Sequence, residues 1–299
     1  MIDKFNFYDI YGYFLPGAAM LLLFWLPWGL VKNSWPASDW GSAVVAIILS
    51  YITGHLLQMI CTKVIPSSVA KGSDGHARYP SDVVVDRTHT ALSGDFKNKL
   101  AALVQSKFGL DLKIEVESKA TDLVRRDAFF LARHLLIQAK EISYGEQFEG
   151  LYTLLRGISV ALAFACANYV GWGLSIFPRD WLDYAAVIAI VVGLLTAANL
   201  AGQLLRTDLQ ATTAFRMERM NAVALLLAAL GVGYILGRRY EITHTQATEL
   251  ALCALGALIA SLRCFGAYKY HCMNFAITVW RDFFASADKP QSHNNAPDV

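Results

Sequence analysis

The run from Ala43 to Val64, AVVAIILSYITGHLLQMICTKV, contains one charged side chain, Lys63, and that residue stands in its last turn. Crossing a hydrocarbon core of about 30 Å takes about 20 helical residues. Lipid offers no hydrogen bonds to exposed backbone, so a run of this kind must be a helix. Five further runs share its character: Tyr11–Val31, Leu155–Phe177, Tyr184–Leu205, Asn221–Gly237 and Ala247–Ala267. The fifth in chain order, Asn221–Gly237, is the shortest.

Composition agrees with that reading. Over 299 residues, 55% hydrophobic, 17% charged and a mean hydropathy of +0.38 are too apolar for a water-surrounded domain of this length. The fold class expected is therefore an all-α integral membrane protein, with six transmembrane helices and a cytoplasmic helical hairpin between the second and third. A formal net charge of +2 gives no reason to expect nucleic acid as a partner. The apolar N-terminus has one lysine, Lys4, and no A-x-A cleavage signal, and reads as a retained first helix.

Orientation follows from the basic residues. With the N-terminus and the long loop inside, only Lys32, Arg179, Arg238 and Arg239 of the 26 Lys and Arg residues fall outside, and Arg206, Arg216 and Arg219 in a short loop point the same way. Trp28, Trp35, Trp40, Trp172 and Trp181 gather at the outer boundary, where amphipathic rings favour headgroups. These signals predict a bacterial inner-membrane protein with both termini cytoplasmic.

The chain divides at this level into 1–65 (two spans), 66–153 (insert), 154–267 (four spans) and 268–299 (a terminal amphipathic helix and tail). The insert opens on a Gly, Ser, Pro and Asp-rich loop, Ser67–Ser81. Phe96, Leu100, Leu103, Val104 and Phe108 then recur at helical spacing up to Gly109, and a second apolar-rich run lies between Ser118 and Lys140. Lys113–Val116 reads as a short strand. Twelve basic and twelve acidic side chains balance one another here, which disfavours phosphate binding. Cys272, Phe275, Ala276, Val279, Trp280 and Phe283 give Tyr268–Phe284 an apolar side, as in a helix lying on a membrane or on the hairpin, and Lys289–Val299 reads as a disordered tail.

Candidate residues are few. His55 lies near the midpoint of the second span with Gln58 three residues on, and an intramembrane ionisable group is a functional candidate. It reads either as a proton-sensitive group on an aqueous path or as a neutral imidazole bonded to a neighbouring helix, brought close by Gly54. Asn168 and Asn199 are further intramembrane polar groups, within one or two turns of each other in depth if the third and fourth helices form an antiparallel hairpin. Ala163, Ala167 and Gly171 form a small-residue ladder in the third span, and Gly233 with Gly237 a G-x-x-x-G pair in the fifth, so these faces are expected to pack closely within the chain or in a homo-oligomer. Five cysteines in or beside apolar runs predict no disulfide framework, and no metal or cofactor is expected. The chain lacks a nucleophile elbow, a P-loop, H-E-x-x-H and a dinucleotide fingerprint. Arg126 and His134 resemble the R-x(4–6)-H pair of HEPN-type ribonucleases, with seven residues between them instead.

Tyr8-Asp9-Ile10-Tyr11-Gly12-Tyr13-Phe14-Leu15-Pro16-Gly17 resembles the Y-D-x-x-G-Y-x-x-P-G opening of a loose group of poorly characterised bacterial multi-pass inner-membrane proteins, and Tyr51-x-x-Gly54-His55 is similar to their second helix. Some of that group are associated with phage defence, which implies a membrane effector or partner in an abortive response. In physical terms, Pro16 deprives the first helix of a backbone bond while Gly12 and Gly17 tolerate a bend.

The function expected is a non-enzymatic membrane effector or adaptor, oligomeric, that alters permeability when a cytoplasmic partner or signal acts on it. A small-solute transporter or channel working through His55, Asn168 and Asn199 is the alternative, and an enzyme acting on membrane lipids a third reading.

Overall fold

A computed structural model of the chain describes residues 9–35, 39–72, 75–116, 118–139, 143–177, 179–205 and 214–287. Tyr8, Arg206 and the predicted tail Lys289–Val299 lie outside them. A π-helical turn, Ile10–Phe14, leads into α1 (Leu15–Lys32), followed by α2 (Trp40–Val64). A two-stranded antiparallel ribbon pairs β1 (Ala70–Lys71) with β2 (Ala77–Arg78), and α3 (Pro80–Val84), α4 (Gly94–Phe108) and α5 (Lys119–Gln138) come next. The remaining helices are α6 (Ser143–Leu174), α7 (Asp180–Leu205), α8 (Ala214–Tyr240) and α9 (His244–Ala287). Six of these, counting the π-turn with α1, are long and apolar enough to cross a membrane. The protein is thus helical and of multi-pass membrane type.

Two compact units are formed, 1–66 with 153–268 and 67–152 with 269–299. Helices α6 and α9 contribute to both.

In the first unit, bare glycine surfaces let helix backbones touch. A Cβ at Gly171 would land on the Leu230 carbonyl and one at Gly233 on the Asn168 carbonyl, while one at Gly231 would lie 2.8 Å from the Ala186 carbonyl. Helix α8 therefore packs against both α6 and α7. Asn168 donates to the Ala229 carbonyl of α8 at 3.2 Å. Within α6, Ala163 and Ala167 are half-buried, and the fully buried small residues are Ala161 and Ala165. Ala165 and Tyr169 pack with Ala254 and Ala257 of α9, against Leu23 and Leu26 of α1.

Tryptophans divide by environment. Trp35, Trp40 and Trp181 are exposed, but Trp172 is buried and its ring stacks on Tyr240, which also meets Trp28 edge-on. Trp172 is a packing residue and not a headgroup anchor.

The second unit has its own core, in which Leu100 and Val104 of α4 and Ala128, Phe129, Ala132 and Leu136 of α5 close around Phe275, Val279, Trp280 and Phe283 of α9. Two expectations need correcting here. The segment 268–284 is not a helix separate from the sixth span, because α9 continues unbroken to Ala287, but of the two placements expected for its apolar side the one against the hairpin is observed, in this core. Nor is Lys113–Val116 a strand: a positive φ at Lys113 starts a turn, and the ribbon forms in the stretch read as loop. The helix limits follow ordinary capping, since the Ser93 and Ser118 hydroxyls accept from the backbone N–H groups of Phe96 and Thr121, and Gly109 closes α4 in the left-handed conformation.

Candidate functional site

Pro16 has no N–H to give to the carbonyl four residues before it, that of Gly12. The structure supplies a donor from another helix: Gln58 of α2 places Nε2 2.7 Å from the Gly12 oxygen. The same Nε2 donates to the Thr153 carbonyl of α6 at 3.1 Å, and Oε1 accepts from Arg156 Nη2 at 3.0 Å. The amide orientation follows from chemistry, because backbone carbonyls only accept and a guanidinium only donates. One buried side chain therefore joins the π-turn, α2 and α6.

Glycines make that approach possible. A Cβ at Gly54 would collide with the Tyr13 carbonyl, one at Gly17 with the Ser50 carbonyl, and one at Gly157 would lie 2.7 Å from Pro16 Cβ. The residues Gly12, Pro16 and Gly17 of the N-terminal motif and Gly54 of the second are two halves of one docking surface. His55 belongs to it through its ring, stacked on Tyr13 at 3.8 Å and edge-on to Tyr51 at 4.6 Å. His55 thus sits in an aromatic contact between the π-turn and α2.

Arg156 is the residue that sequence reasoning missed. It is 9% exposed, its Nε has no hydrogen-bond partner, and no carboxylate pairs with it among the described residues. Arg156 is the second residue of the apolar run Leu155–Phe177, and the rule that singles out His55 applies equally to a guanidinium. Removing one partner from a buried polar pair strands the other at about 1–3 kcal/mol. Gln58→Leu is therefore expected to destabilise the folded protein by about that much, and by less in an Arg156→Met background, where no cation is stranded. Thermal midpoints of the four chains in detergent check this; equal losses in both backgrounds would mean the two side chains are not coupled.

The other polar candidates stand apart from the junction. Asn168 Oδ1 is buried without a partner. Asn199 lies near the end of α7, on an exposed stretch. Ser159 and Ser261 donate to each other's carbonyls and tie α6 to α9, and the Tyr169 hydroxyl donates to the Leu23 carbonyl at 2.6 Å. The grooves between these helices are apolar: about 860 Å³ along α1 and α2 beside Leu21, Trp25 and Val45, and about 580 Å³ along α6 and α9 beside Tyr169, Gly173 and Ala251.

The second unit holds a buried ionic network of its own. Arg125, fully buried, donates to the carbonyls of Leu112, Lys113, Val116 and Asp82 and lies 3.5 Å from Asp86. Lys97 donates to the carbonyls of Asp86 and His89, and its burial lowers its pKa. Arg126 pairs with Asp82 at 3.1 Å and lies over the Tyr79 ring, while His134 bonds to Gln138, so the ribonuclease-like pair does not converge. Among the described residues, no group of three or more His, Cys, Asp and Glu side chains could hold a metal ion.

Burial raises the pKa of Asp82, against the opposing hydrogen bonds from Arg126 and Ser81. The folded state then holds the proton more tightly than the unfolded state, so Asp82 lowers stability as pH rises from the ordinary aspartate value of about 4 through its raised value. Measured across that range, the stability of the wild type relative to Asp82→Asn should fall with rising pH. A rise would contradict the burial of a poorly compensated carboxylate.

Comparison with protein families, with characterised proteins and with solved structures finds no match.

Proposed function

We propose that this chain is a non-enzymatic membrane effector or adaptor of a bacterial inner membrane, with both termini cytoplasmic, in which a partner or signal received by the helical second unit alters membrane permeability through the bundle. The observation that carries the reading is the sharing of α9. The same continuous helix supplies Ala254 and Ala257 to the bundle and Phe275, Val279, Trp280 and Phe283 to the core of the second unit. Both units thus draw packing residues from this one helix. The resemblance carried by Tyr8–Gly17 points such a response toward phage defence.

Two features favour this over transport. Among the described residues, His55 stacks on Tyr13, Gln58 and Asn168 bond to backbone carbonyls, and the two grooves described above are mainly apolar, whereas a water-filled path needs polar groups along its length. The test is induced expression with a potential-sensitive dye, for the wild type and for Trp280→Ala. The wild type is expected to depolarise the membrane without added solute, and Trp280→Ala, correctly inserted, to lose that effect. A polarised membrane at full expression, or saturable solute uptake by proteoliposomes that His55→Ala abolishes, would overturn the reading.

A further inference from the structure

Five of the six spans run for at least eighteen residues without an Asp, Glu, Lys or Arg, about 27 Å of helix. The sixth does not. In α9 the uncharged run stops at thirteen residues, Leu250 to Leu262, because Glu249 stands before it and Arg263 after it. These two lie fourteen residues apart, about 21 Å along the axis and within about 40° around it, so they share one side of the helix.

No described part of the chain covers that side. Both charged residues are exposed, as are Leu252 at 65% and Ile259 at 54% between them, and a Cβ at Gly256, midway, would meet nothing within 4 Å. The packed side is the other one, which carries Leu250, Ala254, Ala257 and Ser261. Neither Glu249 nor Arg263 has an ion-pair partner among the described residues, and at about 21 Å they cannot pair with each other. In a membrane span, a side chain left uncovered by protein meets lipid, and a charge there is costly.

A hydrocarbon core of about 30 Å exceeds this face by about 9 Å. Snorkelling recovers only part of the difference. Helical Cα–Cβ bonds tilt toward the N-terminus, so Glu249 starts out away from the run while Arg263 starts out back toward its middle. A second copy inserted the same way does not neutralise the charges either, since a twofold axis along the membrane normal brings Glu249 near Glu249 and Arg263 near Arg263. A short apolar face is otherwise accommodated by a thinner bilayer. We infer that the Glu249–Arg263 side of α9 is a lipid contact that thins the bilayer locally, with the phosphates of one leaflet drawn in to Arg263 and the aqueous edge of the other to Glu249. The contact requires only that α9 cross a bilayer, so it stands or falls apart from any change in permeability.

The test compares thermal midpoints of the full-length wild type and the double variant Glu249→Leu, Arg263→Leu in phosphatidylcholine vesicles whose monounsaturated chains have 14, 18 or 22 carbons. Both substitutions lie on the exposed side and leave the packed side of α9 as it is. The two midpoints are expected to coincide in the thinnest bilayer. As the bilayer thickens the wild type should fall behind, to about 5 °C below the variant at 22 carbons, because only the wild type must keep the membrane thin. Arg263→Lys should follow the wild type at every length, since it keeps the charge. Each single leucine change should show part of the same slope, and decides the matter equally if the double variant is not inserted. A difference that stays the same at all three lengths would overturn the inference, because charges met by protein do not sense bilayer thickness. So would a variant that loses stability relative to the wild type as the bilayer thickens.

Discussion

Arg125→Leu is expected to unfold the second unit. The guanidinium is fully buried and answers the carbonyls of Asp82, Leu112, Lys113 and Val116, and it is also the cation facing Asp86. Three of these acceptors, Leu112, Lys113 and Val116, belong to the irregular segment after α4, and Asp82 belongs to the single-turn helix α3, too short to satisfy its own carbonyls. Removing one member of a buried ion pair costs about 3–5 kcal/mol, comparable with the whole stability of a small domain. Arg125→Lys is expected to rescue little, because a compact ammonium cannot span four carbonyls as a planar fork does. Hydrogen exchange on the full chain provides the check. Amides of 82–116 should lose protection in Arg125→Leu while those of α1 and α2 keep theirs, and unchanged protection at 82–116 would show that the guanidinium is not what holds the segment.

The second large effect is expected at Gly54. A side chain there would occupy the position of the Tyr13 carbonyl oxygen, which is backbone and cannot rotate away. Overpacking costs about 1–3 kcal/mol where side chains can yield, and a collision with backbone belongs at or beyond the upper end. Gly54→Val should therefore separate the π-turn from α2 and leave Gln58 beyond reach of the Gly12 carbonyl. Gly17→Val attacks the same contact from the other side, so the double variant is expected to lose much less than the sum. Gly256→Ala is the control, since a Cβ there has nothing within 4 Å and alanine is the better helix former by about 1 kcal/mol. The yield of monodisperse protein in detergent and its thermal midpoint distinguish these outcomes. A Gly54→Val chain as stable as Gly256→Ala would mean that the two backbones do not touch.

Much of the architecture was legible because lipid imposes a severe rule on the chain. Each long apolar run became a long helix. The misreadings share one cause, that hydropathy reports solvent and not backbone conformation. Lys269 and Tyr270 end an apolar run, but nothing near them breaks a helix, so α9 continues for a further seventeen residues to Ala287. Arg238 and Arg239 likewise close the hydropathy window at Gly237, while α8 runs on to Tyr240, whose ring packs against Trp28 and Trp172.

The polar junction was half legible. His55 and Gln58 stood out as polar residues in an apolar run, and Gly12, Pro16, Gly17 and Gly54 as a pattern that bends a helix or lets one come close. Their partners could not be read, because Gln58 bonds to a carbonyl 46 residues before it and to a guanidinium 98 residues after it. Asn168 teaches the same lesson, since its partner helix is α8 and not its neighbour in sequence.

The span of that junction bears on biogenesis. As the nascent chain leaves the ribosome, the Gly12 carbonyl emerges first and waits for an amide made 46 residues later, and the oxygen of that amide waits through a further 98 residues for its guanidinium. The opening segment thus has no complete set of bonding partners until the intervening residues and the start of α6 have been translated, which ties the completed packing of the first helices to successful synthesis of the middle of the protein.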